Sequence, residues 1–218
     1  MANQHPSLPN IQRQAYELAY RLAREQLAAM DVAELCRKTG AQPLAPRRLS
    51  VEYLNRRHLV ALPDGEVSLI DSDEEIPLKD KLLVLHYLVS ARGTPPSNKL
   101  ITFKQLPGCA SYFSVFHQIS IKPFLERFGK EPRRLLQAAA ELGGRKAGYG
   151  DVSVTINAFP RVPLTFVLWR GDSEFPPRGS ILFDSTISDY LPAEDIRDLC
   201  ATIVRKLVRA CPGDNAAV

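Results

Sequence analysis

The sequence predicts an α+β fold, and three observations predict it. Residues 11–30 repeat apolar side chains at helical spacing. Residues 152–184 hold apolar runs of strand length, alternating or continuous. Residues 192–209 return to helical spacing. Helices and strands come in blocks and lack the strict alternation of a parallel α/β sheet. The expected architecture is an antiparallel or mixed sheet ending in a C-terminal meander and packed against several helices, one of them a long amphipathic C-terminal helix. Residues 1–218 read as a single domain, with an N-terminal helical arm over 1–40 and a sub-boundary near 143–150.

Each element has a local cause. In 11–30, Ala15, Leu18, Ala19, Leu22, Ala23, Leu27 and Met30 form one stripe. Asp31 is placed to cap a second helix that Gly40 ends. Residues 47–70 read as strands broken by an Asp64-Gly65 turn. A helix over 77–91 starts at Pro77 and stops before Gly93. "GTPPSN" is a stiff connector and "KLITF" a short strand. Residues 108–143 form a helical block punctuated by Pro123, Gly129 and Pro132. "GGRKAGYGD" resembles a phosphate loop only superficially, because it leads into a strand and no helix dipole stands behind it; it reads as a connector. "DVSVTINAF" alternates as a half-buried strand, "VPLTFVLWR" is covered on both faces, and "GSILFD" is the third strand. From Pro192, Ile196, Leu199, Cys200, Ile203, Val204, Leu207 and Val208 share one face. Arg197, Asp198, Arg205, Lys206 and Arg209 lie largely on the other.

Composition excludes several classes. The formal net charge of +4 comes from 28 basic and 24 acidic side chains, with the basic pairs scattered, so nucleic acid is not an expected partner. No apolar run approaches the ~20 residues that span a bilayer. The 4 cysteines, Cys36, Cys109, Cys200 and Cys211, form no C-x-x-C pair of the kind that seeds zinc or iron–sulfur sites. The expectation is a cytoplasmic protein with reduced thiols. Dinucleotide, P-loop, zinc-protease and serine-hydrolase motifs are absent.

Two constellations remain. His86 borders the apolar stripe of its helix, and His117 follows Tyr112, Phe113 and Phe116; helix-borne histidines beside aromatics are candidate axial ligands of a tetrapyrrole metal. The loop "RGDSEFPPR" offers Asp172 and Glu174 as an alternative metal or acid–base pair. Hairpin geometry sets Arg170 opposite Ser180 and Phe166 opposite Asp184, which removes Asp184 by about 13 Å from the loop. Arg170 and Arg178 are then near enough to neutralise Asp172 and Glu174, and the loop reads first as a rigid, charge-balanced turn.

The block "DVSVTINAFPRVPLTFVLWRGDSEFPPRGSILFDSTISDYLPAEDI", with "LVLHYLVSARGTPPSNKLITFKQLPG" before it, resembles a bacterial and archaeal domain of unknown function found mostly in anaerobes. Some members carry a four-cysteine iron–sulfur module like that of the corrinoid protein of acetyl-CoA synthesis; this chain has none. The resemblance implies anaerobic cofactor metabolism, with haem or a corrinoid as the cofactor. His86 and His117 would be its ligands, Tyr112, Phe113, Phe116 and Trp169 its walls, and Arg145 and Arg161 the partners of its anionic groups. The alternatives are a metal-assisted hydrolase or transferase working through the Asp172/Glu174 loop, or a protein-interaction module without ligand. Expected partners are a small-molecule cofactor, a partner protein or further copies of the chain.

Overall fold

The computed structural model describes residues 8–211, with side chains from 13 onward. It is an α+β fold with two antiparallel sheets. The chain divides into two compact units. One comprises the residues up to Val51 together with Arg57–Ala91; the other comprises Glu52–Arg56 and everything from Arg92. Residues 143–150 lie inside the second unit.

In the first unit, α1 (Leu8–Ala28) packs on α3 (Leu78–Ser90). Ala23 and Leu27 are buried, whereas Leu18 and Leu22 of the expected stripe are each 47% exposed. α2 (Val32–Thr39) has the expected ends: the Asp31 carboxylate accepts from Glu34 N–H, and Gly40 adopts the left-handed conformation. α3 is buried nearly all round, and the Tyr87 hydroxyl donates to the Thr39 carbonyl at 2.6 Å. β1 (Gln42–Ala45), β2 (Arg48–Tyr53), β3 (Arg56–Ala61) and β4 (Glu66–Leu69) form a sheet in that order. The β2–β3 turn carries only a partial sequence signal, Asn55. Leu54 and Asn55 both take positive φ there, a conformation usually left to Asn-Gly pairs.

The second unit carries the meander. β5 (Leu100–Thr102), β6 (Arg145–Lys146), β7 (Val152–Phe159), β8 (Val162–Trp169) and β9 (Arg178–Asp184) are ordered β5-β9-β8-β7-β6. β8 is buried on both faces up to Leu168, as its continuous apolar run requires. β6 was expected as a connector; its two residues instead pair with Thr155 and Val154 at the sheet edge. The β8–β9 register also differs from expectation. Trp169 faces Arg178 and Phe166 faces Ile181, so β9 starts one residue early and the pairing slips by three. A slip by an odd number puts Asp184 on the opposite face to Phe166.

On this sheet lie α5 (Lys122–Phe128) and α6 (Arg134–Ala140), and α7 (Ala193–Ala210) packs against both helices. α7 buries Ile196, Leu199, Cys200, Ile203, Val204 and Leu207 as expected. Asp198, expected on the polar face, is buried and accepts a hydrogen bond from Arg197 Nε at 3.1 Å. The four thiols are unpaired by disulfides.

Candidate functional site

Pro123 shapes the most distinctive local feature. Its ring has no N–H to donate to the Ile119 carbonyl and would crowd that carbonyl in a regular helix. The chain responds with a wider turn: α4 (Phe113–Phe116) runs into a π-helical turn over His117–Ile121, then into α5, with Lys122 N–H donating to the His117 carbonyl. Such turns concentrate at functional sites. Ser120 on this turn is buried, and its hydroxyl has no hydrogen-bond partner.

The π turn forms one side of a groove of about 380 Å3. Its floor is apolar, from Phe103, Phe116, Ile121 and Ile181, and His117 stands in its wall. Phe103 and Phe116 stack with centroids 4.1 Å apart. Lys104 Nζ lies 4.1 Å over the Phe113 ring, a cation–π contact that fixes a positive charge at the rim, and Arg178 lines the same groove. Gly179 lets β9 approach, since a Cβ there would stand 3.0 Å from Leu125 Cδ2. The result is an apolar slot with one imidazole and two cations.

Of the residues expected from sequence, the structure brings His117, Phe113 and Phe116 together here. His86 belongs to the other compact unit and does not line this groove. Tyr112 is 61% exposed beside it. Trp169 ends β8 opposite Arg178, while Arg161 lies in the β7–β8 turn at the far end of that strand, about 26 Å away at strand rise. Arg161 instead acts on Tyr190: burial pushes that phenol up, and the charge and hydrogen bond of Arg161 oppose the shift. Arg145 sits on the edge strand. Lys104 and Arg178 were not foreseen as site residues; only the fold places them at the aromatic cluster.

A family model described as a domain of unknown function, DUF3786, matches residues 31–206. The chain belongs to that family. Neither a curated protein nor a solved structure matches it. The matched span holds the whole groove, so the site is part of the DUF3786 domain.

The DUF3786 chain carries a second concavity around the Asp172 loop, a cleft of about 740 Å3 between residues 129–134 and 170–177. Asp172 is not neutralised by arginines, as hairpin geometry suggested. Its Oδ1 accepts from Glu174 N–H at 2.8 Å and Phe175 N–H at 2.7 Å, and its own N–H donates to the Phe175 carbonyl at 2.9 Å. This is a local aspartate turn, which side chains of this length form without help from the rest of the fold. The bonds from Phe175 and Glu174 hold the carboxyl below the usual aspartate range. Among the described residues no group of three His, Cys, Asp or Glu is placed to hold a metal ion. No helix among them is long and apolar enough to cross a membrane.

Proposed function

We propose that this DUF3786 protein is a cofactor-binding accessory protein and that the His117 groove is its site. The observation that carries the reading is a single imidazole on a π-helical turn, facing an apolar slot walled by stacked phenylalanines, with Lys104 and Arg178 at the rim. That donor set suits a flat apolar ligand bearing acidic groups. A tetrapyrrole, haem or a corrinoid, meets each requirement: ring faces for the phenylalanines, carboxylates or amides for the cations, and a metal for one imidazole nitrogen. The groove is at the small end of ligand sites, so it would enclose part of such a macrocycle and leave the rest at the surface. His86 is not needed for this site. A reducing compartment such as the cytoplasm fits the free thiols, three of which (Cys36, Cys109 and Cys200) burial pushes up and keeps protonated.

The test is visible absorption after reconstitution with haemin or cobalamin under anaerobic conditions. The expected result is a ligand band that His117→Ala shifts or abolishes and His86→Ala leaves unchanged. No band, or a band indifferent to His117→Ala, overturns the reading.

A second reading is favoured by one observation. Tyr112, Val115 and Ile119 follow one another at helical spacing beside the groove and are 61%, 49% and 37% exposed. Such a stripe suits a partner protein or a second copy of the chain. Native mass spectrometry checks it. A monomer unchanged in mass alongside a Val115→Glu variant of identical behaviour counts against any interface there.

A further inference from the structure

The 740 Å3 cleft has no role in the reading above, and its chemistry differs from that of the groove. Lys130, Arg133, Arg134 and Arg170 line it together with Glu131, Asp172 and Glu174. Two of these charges cancel locally, because Arg134 is paired with Glu131. The Asp172 carboxylate is turned to the amides of its own loop. Lys130, Arg133 and Arg170 then outnumber the two remaining carboxylates, Asp172 and Glu174, by one, so the cleft keeps a small surplus of positive charge in a concave wall, where fields are focused.

Its other notable resident is Phe175. The backbone at this position is tied twice, through its N–H to Asp172 Oδ1 and through its carbonyl to Asp172 N–H, and Pro176 and Pro177 follow it. Packing fixes the same wall: a Cβ on Gly129 would stand 2.9 Å from Pro177 Cγ, and one on Gly171 2.8 Å from the Phe175 carbonyl oxygen. Yet the Phe175 ring is 64% exposed, the most exposed large apolar side chain among the described residues. A fixed backbone presenting an exposed ring is preorganised and loses little freedom when something stacks on it.

We propose that this cleft binds a small phosphate monoester that also carries an aromatic group, a class that includes mononucleotides and phenyl phosphate. Arg133, Lys130 and Arg170 take the phosphate, and the Phe175 ring takes the flat group. Guanidinium forks match phosphate oxygens in pairs, and the volume lies within the range of small-molecule sites. Isothermal titration of the whole chain with adenosine 5′-monophosphate, phenyl phosphate, inorganic phosphate, adenosine and a single-stranded oligonucleotide tests it. The two aromatic phosphate monoesters are expected to bind at least about tenfold more tightly than phosphate or adenosine. Arg133→Ala should weaken both monoesters about tenfold and leave the melting temperature unchanged, since that side chain is exposed. Phe175→Ala should weaken the two monoesters but not phosphate. Absence of binding of the two monoesters, equal affinity for phosphate alone, indifference to both variants, or tighter binding of the oligonucleotide would each overturn the proposal.

Discussion

Two aspartates of the β8–β9 hairpin, Asp172 and Asp184, use their carboxylates in the same way and to different effect. Each accepts hydrogen bonds from backbone amides of a loop. Asp172 does so at the surface, within its own loop. Asp184 does so in the interior, 6% exposed. Its Oδ1 takes Ser97 Oγ and Thr186 Oγ1 at 2.8 Å, and its Oδ2 takes Asn98 N–H at 2.8 Å. Burial pushes the Asp184 carboxyl up, but the bonds from Thr186 and Ser97 outweigh it and bring the group down to about 2. The difference teaches that a carboxylate's bonding pattern does not by itself reveal what it supports. Depth decides whether losing it costs the fold or only one loop.

The comparison breaks first at Asp184→Asn. The new amide N–H group would face the Asn98 N–H, setting donor against donor at the Asp184 carboxyl site, and a loss of roughly 2–4 kcal/mol in chemical denaturation is expected. A loss no larger than that of a surface substitution would place Asp184 with Asp172. Acid sharpens the same contrast. Because the folded value is depressed, the stabilisation from Asp184 is complete above the ordinary aspartate value of 3.8 and disappears as pH falls towards about 2. It amounts to roughly 2 kcal/mol, and Asp184→Asn should remove that part of the pH slope.

Next in size is Gly129→Ala. The added Cβ would meet Pro177 Cγ at 2.9 Å and the Leu125 carbonyl at 2.6 Å, so the wall has to move, at about 1–2 kcal/mol read as a lower melting temperature. A neutral result would mean that the Asp172 turn alone holds the loop. The smallest effect is expected for Asp172→Ala: an unchanged global melting temperature, with faster hydrogen exchange at the Glu174 and Phe175 amides. Unchanged exchange would show that Pro176 and Pro177 suffice.

How much of this was legible follows from the range of each interaction. The Asp31 cap, the buried β8 and the apolar face of α7 rest on patterns within a few residues and formed as read, while Asp198 on the expected polar face of α7 is buried. The aspartate turn is equally local, but hairpin arithmetic overlooked it. It draws residues 172–175 into a tight loop and starts β9 at Arg178, and the register moved with it. The Leu54–Asn55 turn stayed hidden because Leu54 disfavours positive φ and no glycine stands beside Asn55, the one residue there that tolerates it. At the groove, the aromatic cluster and His117 were visible as neighbours in sequence. Lys104 and Arg178 come from residues on either side of the helical block and were not. Nor does a stripe position reveal that His86 and His117 belong to different compact units.

The π turn at His117–Ile121 amounts to one residue more than an α-helix would use. The extra residue widens the turn while α4 and α5 keep their phase, so removing Gln118 would return the segment to α winding and set the Ile119 carbonyl against the Pro123 ring. The imidazole, carried on the widened turn itself, would lose its seat in the slot. That single residue ties the seat of the imidazole to one proline ring: deletion of Gln118 is expected to lower the melting temperature and change the ligand spectrum, and Pro123→Ala added to the deletion to restore the first without the second.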